Sequence, residues 1–313
     1  MNIEQLQYLA TIARTGSIST AAEILHVSQA GISKSIIKLE KEFGFELFKR
    51  SRQGTVPTDR GRVIIQKANE IIAKLEEIEA EVSEQVDHIR GEIRMSVSPN
   101  YMAILPHAIL SFKEDNPYVK LEVHEKDSVD IIDDIKHSRI DLGLIYLNRV
   151  QPEQSRDLVL VPMIHSRLVA CVSKHSWLAT RSEVTPKELK QQAFVSTNGS
   201  LSTRFMEQFT ERYGAVNTIF KSNNQEVLKR TIAEGAAVGV FIEFSLLSDP
   251  LIESGEIVAV PLEKELNETI TLGYAYSKNQ KLSKAHQELL KYVEREIELI
   301  KQKKVGAVQS KKR

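Results

Sequence analysis

The chain has 313 residues, too many for one ordinary domain and enough for two or three. A hydrophobic fraction of 42% lets each domain bury a core, while the single cysteine, Cys171, excludes an intrachain disulfide and a cysteine-based metal cluster. A formal net charge of +0 argues at first sight against a nucleic-acid partner, but it hides a basic stretch (Lys49, Arg50, Arg52, Arg60, Arg62 and Lys67 against Asp59) followed by an acidic one (Glu70, Glu76, Glu77, Glu79, Glu81, Glu84 and Asp87 against Lys74 and Arg90).

In chain order, Ile3, Leu6, Leu9, Ala10 and Ala13 recur at helical spacing behind an Asn2–Gln5 capping box, and Gly16-Ser17 ends that helix. A short helix is expected from 19 or 20 to about 25, with Ala21, Ala22 and Leu25 inward. A longer one follows, with Ser28 as its cap, Ile32, Ile36 and Leu39 on its inner face, and Gly44 as its stop. Residues 46–58, around Gln53-Gly54, read as a small hairpin. A long helix is expected over 58–90, spanning about 45–50 Å at about 1.5 Å per residue. Ile64, Ala68, Ile71, Leu75, Ile78, Val82 and Ile89 form a heptad seam along it, interrupted at Gln85. A narrow apolar stripe on an otherwise acidic helix needs a partner to cover it.

Gly91 marks a boundary. Strands around 93–97, 119–123 and 142–147 alternate with helices over 104–115 and 129–138. The rhythm restarts at 168–172 and runs through strands at 194–195 and 238–241 and helices over 202–212 and 227–234. A last strand (270–276) and a last helix (284–300) close the domain. The alternation predicts a mostly parallel α/β sheet in two lobes, the second about 163–266. Residues 301–313 hold only basic charges and are expected to be a disordered tail, serving either solubility or DNA contact. The expected domains are therefore 1–58, 59–90, 91–300 and the tail.

The sharpest constellation lies at 21–40. Ala22 is the small residue that lets two helices touch, and Val27, Ile32 and Ile36 are apolar anchors. Gln29, Ser33 and Lys34 are short or extended polar groups where a second helix enters a major groove. Gln pairs with adenine, and Lys reaches the acceptors of guanine. Backbone amides near Ser28 suit a phosphate, and Arg50 and Arg52 would grip the backbone or a minor groove. A plain three-helix packing unit with a solvated polar face explains the spacing alone. The basic hairpin and the heptad helix after it favour a dimeric DNA reader.

These residues, Gly16-Ser17-Ile18 through Ala21-Ala22, Leu25, Val27-Ser28-Gln29, Ile32-Ser33, Ile37, Leu39-Glu40, Gly44, Leu47-Phe48, Arg50 and Thr58-Asp59-Arg60-Gly61, resemble the N-terminal signature of LysR-type transcriptional regulators. The resemblance runs to about Ile300 and is most specific over the first sixty or so residues. It implies a multidomain fold: an all-α winged helix-turn-helix plus a long linker helix, then an α/β periplasmic-binding-protein-like domain with two lobes. It also implies homodimers that assemble to homotetramers and bend promoter DNA in response to a small-molecule effector, with RNA polymerase as a further partner. The DNA-binding set is then Ser17, Ser28, Gln29, Ala30, Ser33, Lys34, Arg50, Arg52 and Thr58. Two positions depart from the family pattern: Ala30 stands where the family usually has Pro, and Lys34 where it usually has Arg. Lysine lacks arginine's rigid fork, so no bidentate guanine contact is carried over.

Ligands of α/β domains bind at the carboxyl ends of strands, in the cleft between lobes. The loops 98–101, 126–128, 196–200 and 222–224 are rich in hydroxyls, amides and helix-start amides that suit a carboxylate or another small anion. The residues selected are Ser98, Asn100, Tyr101, Ser128, Thr197, Asn198 and Asn223. The resemblance implies effector contacts for Ser98, Asn100, Ser128, Thr197 and Asn198 in particular. Helix capping and turn formation account for such residues equally well.

Enzymatic readings find little footing. The histidines lack metal-ligand spacing, no Gly-rich phosphate loop or Gly-x-Ser-x-Gly elbow occurs, and Cys171 lies in a buried-looking strand. No cofactor is expected. A lone thiol also excludes an in-chain disulfide switch. No basic segment followed by an apolar run opens the chain, which with the reduced cysteine predicts a cytoplasmic protein without a membrane partner. A secreted solute-binding protein needs the opposite.

Overall fold

The computed structural model describes residues 1–51, 54–82 and 89–310. Three helices open it: α1 (Ile3–Thr15), α2 (Ile18–Ile24) and α3 (Gln29–Phe43). Each starts at a side-chain cap. Asn2 Oδ1 accepts the Gln5 amide at 2.9 Å and Gln5 returns the bond to the Asn2 amide; Ser17 and Ser28 hydroxyls accept from Thr20 and Gly31. Gly16 and Gly44 end α1 and α3 in the left-handed region. An antiparallel hairpin follows, β1 (Phe48–Ser51) and β2 (Gly54–Pro57). Then comes α4 (Asp59–Val82), opened by the Thr58 hydroxyl accepting the Gly61 amide at 2.9 Å. A Cβ on Gly61 would lie 1.9 Å from the Leu47 carbonyl oxygen, so the hairpin and α4 meet at a spot only glycine fits. Leu6, Leu9, Ile12, Ala22, Ile32, Leu39, Leu47, Ile65 and Ala68 share one core.

The first turns of α4 therefore belong to this core. Ala68 is buried and Ile64 half-buried against it, and Ile89 packs on the core of the following domain, so of the expected seam Ile71 (40% exposed) and Ile78 (58%) are open to a partner, with half-buried Leu75 between them. The seam's Gln85 interruption lies outside the described residues.

The first lobe contains β3 (Gly91–Val97), α5 (Leu105–Asp115), β4 (Val119–Glu125), α6 (Ser128–Lys136), β5 (Leu142–Tyr146) and a short α7 (Pro152–Ser155). The long β6 (Leu158–Ser173) carries the chain across. The second lobe follows with α8 (Pro186–Lys190), β7 (Ala193–Ser196), α9 (Ser200–Tyr213), β8 (Asn217–Lys221), α10 (Gln225–Ala233), β9 (Gly239–Ile242), α11 (Pro250–Glu253) and β10 (Ile257–Pro261). Return is along β11 (Thr269–Ser277), and α12 (Lys284–Ser310) packs back on α5. The main sheet has the order β10-β6-β11-β5-β3-β4, with β9 also on β6; β7 and β8 pair separately.

Three expectations need correcting. The sheet is mixed rather than mostly parallel: β3 pairs in parallel with β4 and β5, whereas β11 runs antiparallel to β5 and β6, and β6 antiparallel to β9 and β10. The strand read at 168–172 is only the far end of β6. Pro162, which cannot donate to a ladder, masks the near end; it sits opposite Gly273, where the register shifts. The tail expected to be disordered from 301 is instead the continuation of α12 to Ser310. Its Lys, Gln and Ala residues favour helix, and extending an established helix needs no new nucleus.

Candidate functional site

The outward face of the N-terminal unit is built by α3. With Ile32, Ile36 and Leu39 buried, the 3.6-residue period turns Ser28, Gln29, Ala30, Lys34 and Lys38 to solvent and leaves Ser33 half-buried. Gln29, Ala30, Ser33 and Lys34 thus share the exposed start of one helix. Val27 is 38% exposed rather than an inner anchor; His26, at φ 54, takes the turn through the left-handed region and carries the chain outward there. Ser17, Ser28 and Thr58 all serve as helix caps, so three helix starts and their unsatisfied amides lie at the surface of this unit.

The hairpin is fastened to α3 by a side chain that sequence reasoning did not single out for a role. Glu40 Oε1 accepts the Leu47 amide at 2.7 Å and the Phe48 amide at 3.3 Å. The Thr55 amide donates to the Gly16 carbonyl at 2.7 Å, so the hairpin is tied at both edges. Arg60 stands over the Phe45 ring at 4.2 Å, and Phe45 stacks on Phe43. Arg50 lies in β1 opposite Thr55. Arg52 lies outside the described residues.

A second group of polar residues lies on loops of the two lobes, which the contact of Asp127 with Ser200 joins. Ser98 follows β3 and accepts a hydrogen bond from Asn100 Nδ2 at 2.8 Å. The buried Ser128 hydroxyl accepts the Tyr146 amide at 3.1 Å. In lobe two, the Thr197 hydroxyl donates to Ser202 Oγ at 2.8 Å, while Asn198 and Asn223 are exposed. Tyr101 departs from expectation: it is fully buried, and its hydroxyl donates to the Gly273 carbonyl at 2.7 Å, with Ile145 O at 3.3 Å. Burial pushes its hydroxyl well above the usual phenol range, only partly opposed by the Gly273 hydrogen bond. It is a strut against β5 and β11, not a cleft residue.

Four further groups enter this cluster. Asp127 accepts from Ser200 across the lobes, and Arg204 of α9 lies 3.6 Å from Glu268, which also accepts the Tyr146 hydroxyl at 3.3 Å. The loops containing Asp127 and Ser200 were legible as loops; their mutual contact was not. A groove of about 590 Å³ between β11 and α12, lined by Tyr274, Tyr276 and Lys281 among others, shares no lining residue with the cluster. Cys171 is buried, and burial first, then the nearby Asp249 carboxylate, push its thiol far up, which removes it as a nucleophile. Among the described residues no group of His, Cys, Asp and Glu is arranged to hold a metal, and no helix is long and apolar enough to cross a membrane.

Comparison with known proteins agrees with both halves. Residues 3–62 match the model of the bacterial regulatory helix-turn-helix protein, lysR family, and residues 87–298 that of the LysR substrate binding domain. The uncharacterized HTH-type transcriptional regulator YvbU of Bacillus subtilis is 24% identical over 90% of this chain and 95% of its own length. The uncharacterized HTH-type transcriptional regulator YeiE of Escherichia coli is 26% identical over 93% of this chain and 97% of its own length. A full-length OxyR variant from Pseudomonas aeruginosa, 20% identical, superposes with a TM-score of 0.71 over 96% of this chain and 95% of that one, and shares its fold. This chain belongs to the LysR family: it is a helix-turn-helix transcriptional regulator with an effector-binding domain, not an enzyme.

Proposed function

We propose that the chain acts in the cytoplasm as a homodimer, assembled further to a homotetramer, that reads a pseudo-palindromic promoter site and changes its bending when a small carboxylate or similar anion enters the interlobe cleft. The reading rests above all on one observation: the start of α3 is exposed while its opposite face is locked into the core. Gln29, Ala30, Ser33 and Lys34 read base edges. Ser17, Ser28, Arg50, Arg52 and Thr58 hold phosphates through hydroxyls, guanidinium groups and helix-start amides. The open apolar run of α4 supports pairing of two chains, which sets two recognition helices about one turn of DNA apart. Ser98, Asn100, Ser128, Thr197, Asn198 and Asn223 surround the effector, and altered bending, an energy of a few kcal/mol, changes the access of RNA polymerase.

Anisotropy titration with the DNA upstream of the chain's own gene tests this. Affinity is expected to fall by about three orders of magnitude or more between 50 and 200 mM salt if some six phosphates are contacted. Gln29→Ala is expected to relax preference at one base position, at a cost of about 1–3 kcal/mol, whereas Arg50→Ala weakens all sequences alike and flattens the salt slope. Identical behaviour of the two variants on a panel of operators contradicts these roles, and salt-insensitive binding contradicts the reading as a whole.

A further inference from the structure

One side chain spans the gap between the lobes. Asp127 stands just before α6 in lobe one, and Ser200 opens α9 in lobe two. Asp127 Oδ2 accepts the Ser200 amide at 2.9 Å. The Ser200 hydroxyl donates to Oδ1 at 2.9 Å and lies 3.1 Å from Oδ2. Oδ1 also accepts the Val129 amide of its own helix at 3.1 Å. The starts of two helices, of 9 and 14 residues, thus share a single carboxylate. Each start carries roughly half a positive charge, so one negative charge balances both.

The position Asp127 fills belongs to lobe two. The cap of α9 is Gly199, which makes no side-chain cap bond, and a Cβ there would come 3.3 Å from Asp127 Oδ2. Thr197 and Ser202 flank the same spot with hydroxyls. Lys126 next door is committed to Asp134, and among the described residues no ion pair joins Asp127 to a cation. The neighbouring Arg204 faces Glu268. The lobe-two cradle thus holds a carboxylate, and that carboxylate comes from the other lobe.

We infer that Asp127 is a latch between the lobes, an internal occupant of the effector's anion position that a carboxylate effector displaces. The inference rests on the interlobe reading of effector binding and extends it. A carboxylate entering this cradle exchanges one charged acceptor for another, so the Ser200 donors stay satisfied while the tie between lobes is cut. The effector's remaining groups, set against Asn100 and Thr197, must then supply the net affinity. Because a tethered group acts at millimolar or higher effective concentration, a bare carboxylate competes poorly with Asp127.

The test uses the full chain with acetate as probe, at constant ionic strength against chloride. Asp127→Ser keeps a good cap on α6 but is too short to reach Ser200. Spin labels at Glu114→Cys and Glu211→Cys, in an otherwise wild-type or Asp127→Ser background, report the distance between lobes; Cys171 is buried and does not compete for label. The latch predicts a narrow distance distribution in wild type that broadens in Asp127→Ser; acetate refills the variant's cradle and raises its thermal midpoint while the distribution stays broad, because acetate ties no lobe to the other. Half-saturation of that rise in midpoint is expected at roughly a hundredfold less acetate than any response of wild type. An unchanged distribution overturns the latch, and broadening with no acetate-dependent rise in the variant's thermal midpoint overturns displacement. Should Asp127→Ser fail to fold, Ser200→Pro serves: proline is favoured at the first helical position and removes both donors, so the lobes are expected to open and acetate to have no effect. A Ser200→Pro chain with wild-type distances overturns the latch equally. Promoter binding measured on the same samples is separate: its salt sensitivity reports the regulator reading whether or not the latch holds.

Discussion

The buried charges of lobe one show how single residues set its stability. Asp141, at the start of β5, accepts Arg94 Nη2 at 2.6 Å, Arg94 Nε at 3.1 Å and the Arg94 amide at 2.9 Å; His286 Nε2 of α12 lies 3.8 Å away. Burial by itself raises the Asp141 carboxyl, but His286 and Arg94 together outweigh it and hold the group well below the usual carboxylate range. A depressed carboxyl stabilises the fold fully above its unfolded value of about 4, and this contribution fades as pH falls below that toward the depressed value. Asp141→Asn leaves the Arg94 guanidinium without its counter-charge, and denaturant unfolding at pH 7 is expected to show a loss of about 3–5 kcal/mol. The gap between wild type and variant should persist down to about pH 4 and narrow below it. A gap that instead narrows as pH rises from 5 to 8 contradicts the assignment.

At the scale of elements, what was legible in the sequence is what is local. Asn2 with Gln5, Ser28 and Gly44 mark helix ends because a cap reads only three or four residues away, and the inner faces of α1 and α3 follow from their 3.6-residue period. Legibility failed where distant chain decides. The near end of β6 around Pro162 goes unread because its partner, Gly273 at the register shift, lies far along the chain, and the first turns of α4 read as dimer seam until α1 is seen to cover them. Glu40 is of the same kind: nothing beside it in the chain predicts that its carboxylate will take two amides of the hairpin. Hydrogen bonds to a charged acceptor contribute about 1.5–3 kcal/mol each. Glu40→Ala is therefore expected to loosen the wing, lowering affinity for every operator while leaving the order of preference among them intact. A changed order, read by competition over a randomised site, would assign Glu40 to base recognition instead.

At the scale of the molecule, the interlobe cluster was legible only as a set of polar loops, because a contact such as that of Asp127 with Ser200 joins residues 73 positions apart. The proposed dimer poses the opposite problem, since its signal is a surface left uncovered. Beyond the turns buried by α1, α4 leaves Ile71 and Ile78 exposed at a spacing of seven, with half-buried Leu75 between them, so one chain alone leaves this stripe in water. Burying apolar surface contributes about 25 cal/mol per Å², so a paired seam of several such side chains contributes several kcal/mol, enough to hold a dimer. Ile71→Asp with Ile78→Asp places two charges in the seam on each chain and repels them across it. The N-terminal core stays intact because neither side chain is buried in it. Sedimentation is expected to show monomers, and specific operator affinity to fall by about two to four orders of magnitude, the advantage lost when two half-sites no longer engage one linked reader. Dimers that persist with unchanged operator affinity would move the pairing surface away from α4, to the apolar side chains left open on the lobes, such as Leu110 and Ile219.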